Sequence, residues 1–435
     1  MVAQQIKLTN GITLIMDPME SVESLTISVF VEVGARHEEG FNNGISHCIE
    51  HMHFKGTERR SAQQIVKELD MAGGFINAYT SRERTSYYTR VLQGDTELAF
   101  DILSDMLCNS VFDEEELRKE KGVILQEIKE AIDDPSDLVC DLYNGRMFHG
   151  QQIGSAILGS ESSVLTITRQ EIMEYLHKYY TTDRIIVSVS GKLDVDHIVG
   201  LAHDYFGNVQ SSSVNRFACA FEQQSSHTQD GADDILYSGG VELLQKDIEQ
   251  VHLIFGFNAV SKLHDDYYTY CVASLITGGG MSSRLFQEVR EKRGLVYSIS
   301  SSIVANSVKG SWDVCMSSDA GKIGDALRIS VDVVKGMCMN ISEDEVVAAK
   351  AQMKSSMLMS QESSSYRSDK NANYYSIFHQ VLDYREIMRK IDSINVDDVL
   401  RVMNKMINNT KDDAVTLAAV GDIKNFDADL LKNAF

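Results

Sequence analysis

The chain of 435 residues has only two prolines, Pro18 and Pro135, and its 29 glycines follow no three-residue period, which excludes a collagen-like rod. There is no CxxC pair. The seven cysteines, at 48, 108, 140, 219, 271, 315 and 338, are odd in number and widely spaced, as expected of free thiols in a reducing compartment. No apolar run reaches the roughly eighteen residues a membrane span needs. The opening segment, MVAQQIKLTNGITLIMD, lacks the basic stretch and continuous apolar core of a secretory signal. Cytoplasm is therefore the expected compartment, or the mitochondrial matrix for a eukaryotic chain stripped of a transit peptide. Positive charge is also in deficit: 41 Lys and Arg against 63 Asp and Glu leave a formal net charge of −22. A phosphate backbone would be repelled, so neither nucleic acid nor membrane is an expected partner. Cationic substrates and plain solubility both suit this balance. What is present is ordinary for a packed protein: 43% hydrophobic and 24% charged residues, with apolar segments recurring throughout.

The chain reads as two similar halves. Residues 5–17 alternate around Asn10-Gly11, which predicts a hairpin. Strands are expected at 25–33, 75–80, 85–91 and 184–189. Helices are expected at 45–54, 61–71, 98–106, 114–131 and 166–180. Ser61 with Gln64 three residues later caps the second of these helices, and Gly73-Gly74 ends it. The second half repeats the order, with strands at 251–257, 295–301 and 311–316 and helices at 268–276, 283–291, 322–336 and 343–359. Leu253 lies 226 residues after Ile27, and Ser342 lies 229 after Asp113. This offset favours duplication of one α+β unit. The fold class expected is α+β: two homologous domains, each a mixed, mainly antiparallel sheet with packed helices, forming a clam-like cavity. The expected boundaries are 1–215 for the first domain, 216–236 for a polar linker, and 237–435 for the homologous second domain.

The strongest chemical signal is His47-Cys48-Ile49-Glu50-His51. On a helix His47 and His51 share a face, and Glu50 projects beside them. Two neutral imidazoles can hold Zn²⁺, and a carboxylate alongside can take a proton from water. This is the inverted order of the HExxH zinc-peptidase motif. A catalytic zinc needs a third protein ligand. The charged helix 114–131 offers Glu120, Glu127 and Glu130, and periodicity does not choose among them. Val123, Ile124 and Ile128 predict that part of this helix is buried. Cys48 should point away from the ligand face as a small buried hydrophobe. His53 lies off that face and is excluded as a ligand.

The stretch Gly44-Ile45-Ser46-His47-Cys48-Ile49-Glu50-His51-Met52-His53-Phe54-Lys55-Gly56-Thr57 resembles the pitrilysin and insulin-degrading-enzyme family of zinc peptidases. Within it the resemblance is nearest to the mitochondrial processing peptidase beta subunit and its short bacterial relatives, and it covers nearly the whole chain. The resemblance implies one zinc held by His47, His51 and Glu127, with Glu50 as general base and Glu120 supporting the site from behind. It implies that Gly73-Gly74-Phe75-Ile76-Asn77-Ala78-Tyr79-Thr80 pairs with substrate, Gly74, Asn77 and Ala78 making the contacts. In the second half it implies that Arg290 binds substrate backbone or carboxylate and that Tyr297 donates to the carbonyl oxygen. The activity implied is a zinc endopeptidase acting on unfolded, basic, presequence-like peptides inside an enclosed cavity. The alternative is a non-catalytic or partner-dependent subunit, as in processing-peptidase or respiratory-complex relatives. Gly278–Gly280 is too short for the glycine-rich loop of the partner subunit, so a homodimer is expected, with a heterodimer as the alternative. An offset of 229 places Ile276, Gly279 and Gly280 at the positions of His47, Glu50 and His51, and Ala349 and Ser356 at those of Glu120 and Glu127. Metal is therefore expected in the first half alone.

Overall fold

The computed structural model describes residues 3–207, 209, 235–408 and 415–432. The first half runs β1 (Gln4–Lys7), β2 (Thr13–Pro18), β3 (Ser24–Val31), α1 (Ile45–His53), α2 (Ala62–Met71), β4 (Phe75–Thr80), β5 (Thr85–Leu92), α3 (Thr96–Asn109), α4 (Glu114–Asp133), α5 (Pro135–Met147), α6 (Glu161–Thr166), α7 (Arg169–Tyr179), β6 (Ile185–Gly191) and α8 (Val195–Phe206). The second half runs β7 (Gly240–Gln245), β8 (Gln250–Ala259), α9 (Tyr267–Gly278), β9 (Ser298–Ala305), β10 (Gly310–Asp319), α10 (Ile323–Gly336), α11 (Glu343–Ser360), α12 (Ser364–Phe378), α13 (Tyr384–Ser393), α14 (Val396–Asn408), β11 (Val415–Gly421) and α15 (Asp429–Lys432). Among these residues no helix is long and apolar enough to cross a membrane. Cys48, Cys315 and Cys338 are free thiols. Residues 216–234 of the expected linker, Cys219 among them, lie outside the described residues.

The duplication is written in the strand order. The first sheet is ordered β1-β2-β6-β3-β5-β4 and the second β7-β11-β8-β10-β9. Apart from β1, the two orders correspond strand for strand. In each, one pair is parallel, β2 with β6 and β7 with β11, and the remaining pairs are antiparallel. Gly191 ends β6 at φ +133° with its Cα against Leu25, and Gly421 ends β11 at φ +144° against Val251. Leu25 and Val251 are 226 residues apart, the offset read from the sequence. The Asn10-Gly11 hairpin forms with Gln4 opposite Met16 and Lys7 opposite Thr13.

The packing units are not the contiguous spans 1–215 and 237–435. The first comprises Met1–Lys129, Ser155–His227 and Met359–Asp383, and the second Glu130–Gly154, Thr228–Leu358 and Tyr384–Phe435. The repeats exchange equivalent helices: α5 leaves the first half to cover the second sheet, and α12 leaves the second half to cover the first. Helix α4 ends at Asp133, and Asp134 then caps α5, accepting from Ser136 N at 2.7 Å, with Pro135 in the first turn where its missing N–H costs nothing. The two covered faces differ. Under α12 polar contacts, Arg367 Nε to Asp17 at 2.7 Å, Ser368 Oγ to Ser28 Oγ at 2.9 Å and Thr26 to Ser364 at 3.0 Å, stand beside a small apolar group of Ile15, Phe30, Ile186 and Ala372. Under α5 the buried group is apolar, with Val139, Tyr143 and Met147 on Ile254, Ala418 and Val420.

Candidate active site

Helix α1 follows from its apolar spacing. Ile45, Cys48, Ile49 and Met52 repeat at three- and four-residue intervals and are buried in the first core. Cys48 is thus a core residue, and burial pushes its thiol up to about 12. The other stripe of the same helix carries His47, Glu50 and His51. Helix α4 buries Leu117, Glu120, Ile124 and Ile128, which leaves Glu127 half-buried at the edge of that stripe. Val123 was expected inside but is exposed, and Glu130 is exposed as well, one turn beyond the others.

Three donor atoms converge. His47 Nε2 and His51 Nε2 are 3.2 Å apart. The Glu127 carboxylate oxygen lies 3.8 Å from the first and 3.5 Å from the second. Among the described residues this is the one group of three such side chains whose ligand atoms all lie within 4.8 Å. Ligands on the corners of a tetrahedron with bonds of ~2.0–2.1 Å stand roughly 3.3 Å apart, so the spacing suits a zinc-sized ion. The histidines point the same way. His51 Nδ1 donates to Glu120 Oε1 at 2.9 Å, which leaves its Nε2 as a lone pair. Burial lowers His47 to about 3, helped by repulsion from His51, so its ring is neutral. Its buried Nδ1 has no hydrogen-bond partner. The two Nε2 atoms face each other across 3.2 Å, where a cation could take a lone pair from each.

Glu120 does not join the three. One oxygen takes the His51 proton and the other meets Lys55 Nζ at 2.6 Å. Burial acts to raise its carboxyl, but the bonds from His51 and Lys55 outweigh burial and hold it low. For His51, burial acts to lower the ring, and Glu120 and Glu127 raise it overall. Glu50 is buried, which lifts its carboxyl above the usual range; the Thr80 hydroxyl, donating to Glu50 Oε2, opposes this. Thr80 closes β4, so the candidate base is tied to the last strand of the sheet. His53, excluded as a ligand, is buried with Nδ1 3.0 Å from both Ile49 O and the Tyr87 hydroxyl.

Strand β4 is an edge of the first sheet. It begins at a glycine pair that closes α2: Gly73, at φ +66°, gives its N–H to Asp70 O, and Gly74 reaches back to Leu69 O at 2.8 Å. Gly74 is packed close to Val91, with no space for a larger residue. The exposed Asn77 uses its own carboxamide oxygen to hold Ala78 N–H at 2.9 Å. Arg290 and Tyr297 belong to the second unit and not to this cluster. Arg290 lies over the Phe286 ring at 4.7 Å, within a π-helical turn at Phe286–Glu291, where the sequence predicted an ordinary helix. Tyr297 is 73% exposed, just ahead of β9. Sequence reasoning missed two partners of the site, Lys55 and Thr80. Each stands inside a motif that was found, but a lysine at a helix end and a threonine on a strand carry no spacing signal of their own.

Comparison with known proteins agrees with the geometry. Residues 15–161 match the model of the insulinase peptidase family M16, and residues 166–353 match that of the peptidase M16 inactive domain. The chain is 35% identical to an uncharacterized zinc protease of Rickettsia felis and 33% identical to the uncharacterized zinc protease YmxG of Bacillus subtilis, each match covering 94% of this chain and 96% of the relative. A protease from Helicobacter pylori superimposes with a TM-score of 0.87 at 19% identity, over 96% of this chain and 99% of that one. A chain of complex III2 from Candida albicans does so with a TM-score of 0.83 at 18% identity, over 99% of each. The two model matches follow one another along the chain, and with the 35% identical relative they place it in the insulinase family of peptidases, M16.

Proposed function

We propose that the chain is a zinc metalloendopeptidase acting on extended or unfolded peptides, with Glu50 as general base. The observation that carries this reading is the convergence of His47, His51 and Glu127 within 4.8 Å, with Glu50 on the same helix bonded to an edge strand. Zn²⁺ held by these three side chains would supply Lewis acidity toward the scissile carbonyl and toward water. Glu50 accepts a proton from the attacking water and delivers it to the leaving amine. Its raised carboxyl suits that task, because a stronger base accepts the water proton more readily. The peptide adds to β4 as a further strand, gaining affinity from backbone hydrogen bonds with little demand on side-chain identity. Its backbone then competes with Asn77 for the Ala78 N–H. Arg290 holds substrate, and Tyr297 donates to the developing oxyanion. A net charge of −22 supports a preference for basic, presequence-like peptides. The proposed assembly is a homodimer.

Zinc content and cleavage of a basic fluorogenic peptide, measured on the purified chain alone, test this reading. About one zinc per chain and chelator-sensitive cleavage are expected. A chain that binds zinc yet cleaves only with a second subunit would be partner-dependent. One that does neither would be the non-catalytic alternative.

A further inference from the structure

The two histidines are held by different means. His51 has Glu120 behind its Nδ1 at 2.9 Å. His47 has nothing behind its Nδ1, although that atom is buried. Beside its edge contact with the His51 ring at 4.5 Å, its imidazole depends on the backbone of the first turn of α1 for its place. That turn has an unusual start. Its cap residue is Gly44, at φ +91°, which has no side chain to accept the free N–H groups. No serine or aspartate could replace it, because a Cβ there would sit 2.6 Å from Leu158 O. The missing acceptor comes from six residues upstream. Glu38, 1% exposed, accepts from Gly44 N at 2.8 Å and Asn43 Nδ2 at 2.7 Å through Oε2, and from Ser46 N at 2.9 Å through Oε1. All three partners are N–H donors, which a carboxylate accepts, and negative charge at a helix N-terminus is favourable. Ser46 immediately precedes His47. A second carboxylate, Glu171, holds the same loop further out, by Asn42 N at 2.7 Å.

We propose that Glu38 is the positioning residue of His47: it fixes the first turn of α1 and so sets the imidazole that Glu120 does not reach. The proposal rests on the zinc reading above. It makes the ligand pair dependent on two separate carboxylates, one acting through a side chain and one through backbone N–H groups.

Zinc affinity, measured by competition with a chelator on the intact chain, tests it. Glu38→Gln turns one acceptor into a donor pair that confronts backbone N–H groups. The expected loss is roughly 10–100-fold, the range for groups that orient a ligand. Combined with E120Q the two losses should multiply, since each acts on a different histidine. Placed on His47→Ala, E38Q should add less than ~2-fold, because its target is gone. Glu38→Asp, which keeps the charge but shortens the reach, serves the same cycle should the glutamine variant fold poorly. Glu171→Gln should lower the unfolding temperature and leave zinc affinity unchanged. An equal E38Q loss with and without His47 would overturn the proposal, since Glu38 would then act on the fold at large. So would wild-type affinity in E38Q. Failure of the parent chain to bind zinc at all would overturn the zinc reading beneath it, and this inference with it.

Discussion

The two repeats place the same strands in the same order and differ where a helix meets an edge strand. In the first, α1 approaches β4 through the side chains of Glu50 and Thr80. In the second, α9 approaches β9 through Gly278, where any Cβ would collide with the backbone nitrogen of Ser301. Ile276, at the position of His47, is a core residue, and Ala349, at that of Glu120, is buried against the same core. The second repeat has used the positions of His47 and Glu120 for packing, and at those of Glu50, His51 and Glu127 it carries Gly279, Gly280 and Ser356, with no imidazole or carboxylate. The chemistry belongs to side chains set on the fold and not to the fold.

The sharpest way to break the comparison is to make the first repeat resemble the second. His47→Ala with His51→Ala removes two of the three donors. Elemental analysis should then show zinc falling from about one per chain to none, with peptide cleavage lost along with it. Zinc retained at the wild-type level would mean that the metal sits elsewhere.

A smaller change separates chemistry from binding. Glu50→Gln preserves shape and the contact with Thr80 but cannot accept a proton. Zinc should stay, and turnover of a fluorogenic peptide should fall by at least ~10²-fold. Normal turnover in this variant would remove Glu50 from the reaction.

Smaller again is the layer behind the ligands. Glu120→Gln should lower zinc affinity or activity by roughly 10–100-fold. Lys55→Met removes only the partner of Glu120 and should cost less than E120Q in the same chelator titration. The reverse order would show that Lys55, and not Glu120, anchors His51.

These groups were unequally legible in the sequence. The four-residue spacing of His47 and His51 forces a shared face on any helix, and the Ser61–Gln64 cap and Asn10-Gly11 turn act locally, so all three could be read. Glu127 could be separated from Glu120 and Glu130 only by the family resemblance, because helical period puts each within reach of one face. The helix exchange was hidden for a different reason. Nothing local to α5 or α12 says which sheet it will cover, and the contacts that decide it, Ser368 on Ser28 and Tyr143 on Asp313, span 340 and 170 residues. Strand β7 was missed because it is largely exposed and shows no alternation, and β11 because it is a short run buried on both faces.

The exchanged helices supply the finest comparison. Under α12 the buried acid of the first sheet, Asp17, meets a cation, Arg367. Under α5 a buried acid on a different strand of the second sheet, Asp313, has only hydroxyls, from Tyr143 at 2.5 Å and Ser311 at 2.8 Å. Burial lifts the Asp313 carboxyl to about 7, against the pull of both hydrogen bonds. Between about pH 4 and that value the native chain holds a proton that the unfolded chain has already released. The contribution of this group to stability is therefore complete at acid pH, declines as pH rises through that window, and levels off above it. Asp313→Asn cannot ionise and should lose the decline. Urea denaturation at several pH values across that window should show the variant gaining on the parent chain as pH rises, with the gap constant above it. A gap that stays flat from acid to neutral pH would mean that Asp313 is already ionised in the native protein, its charge tolerated by the hydroxyls alone.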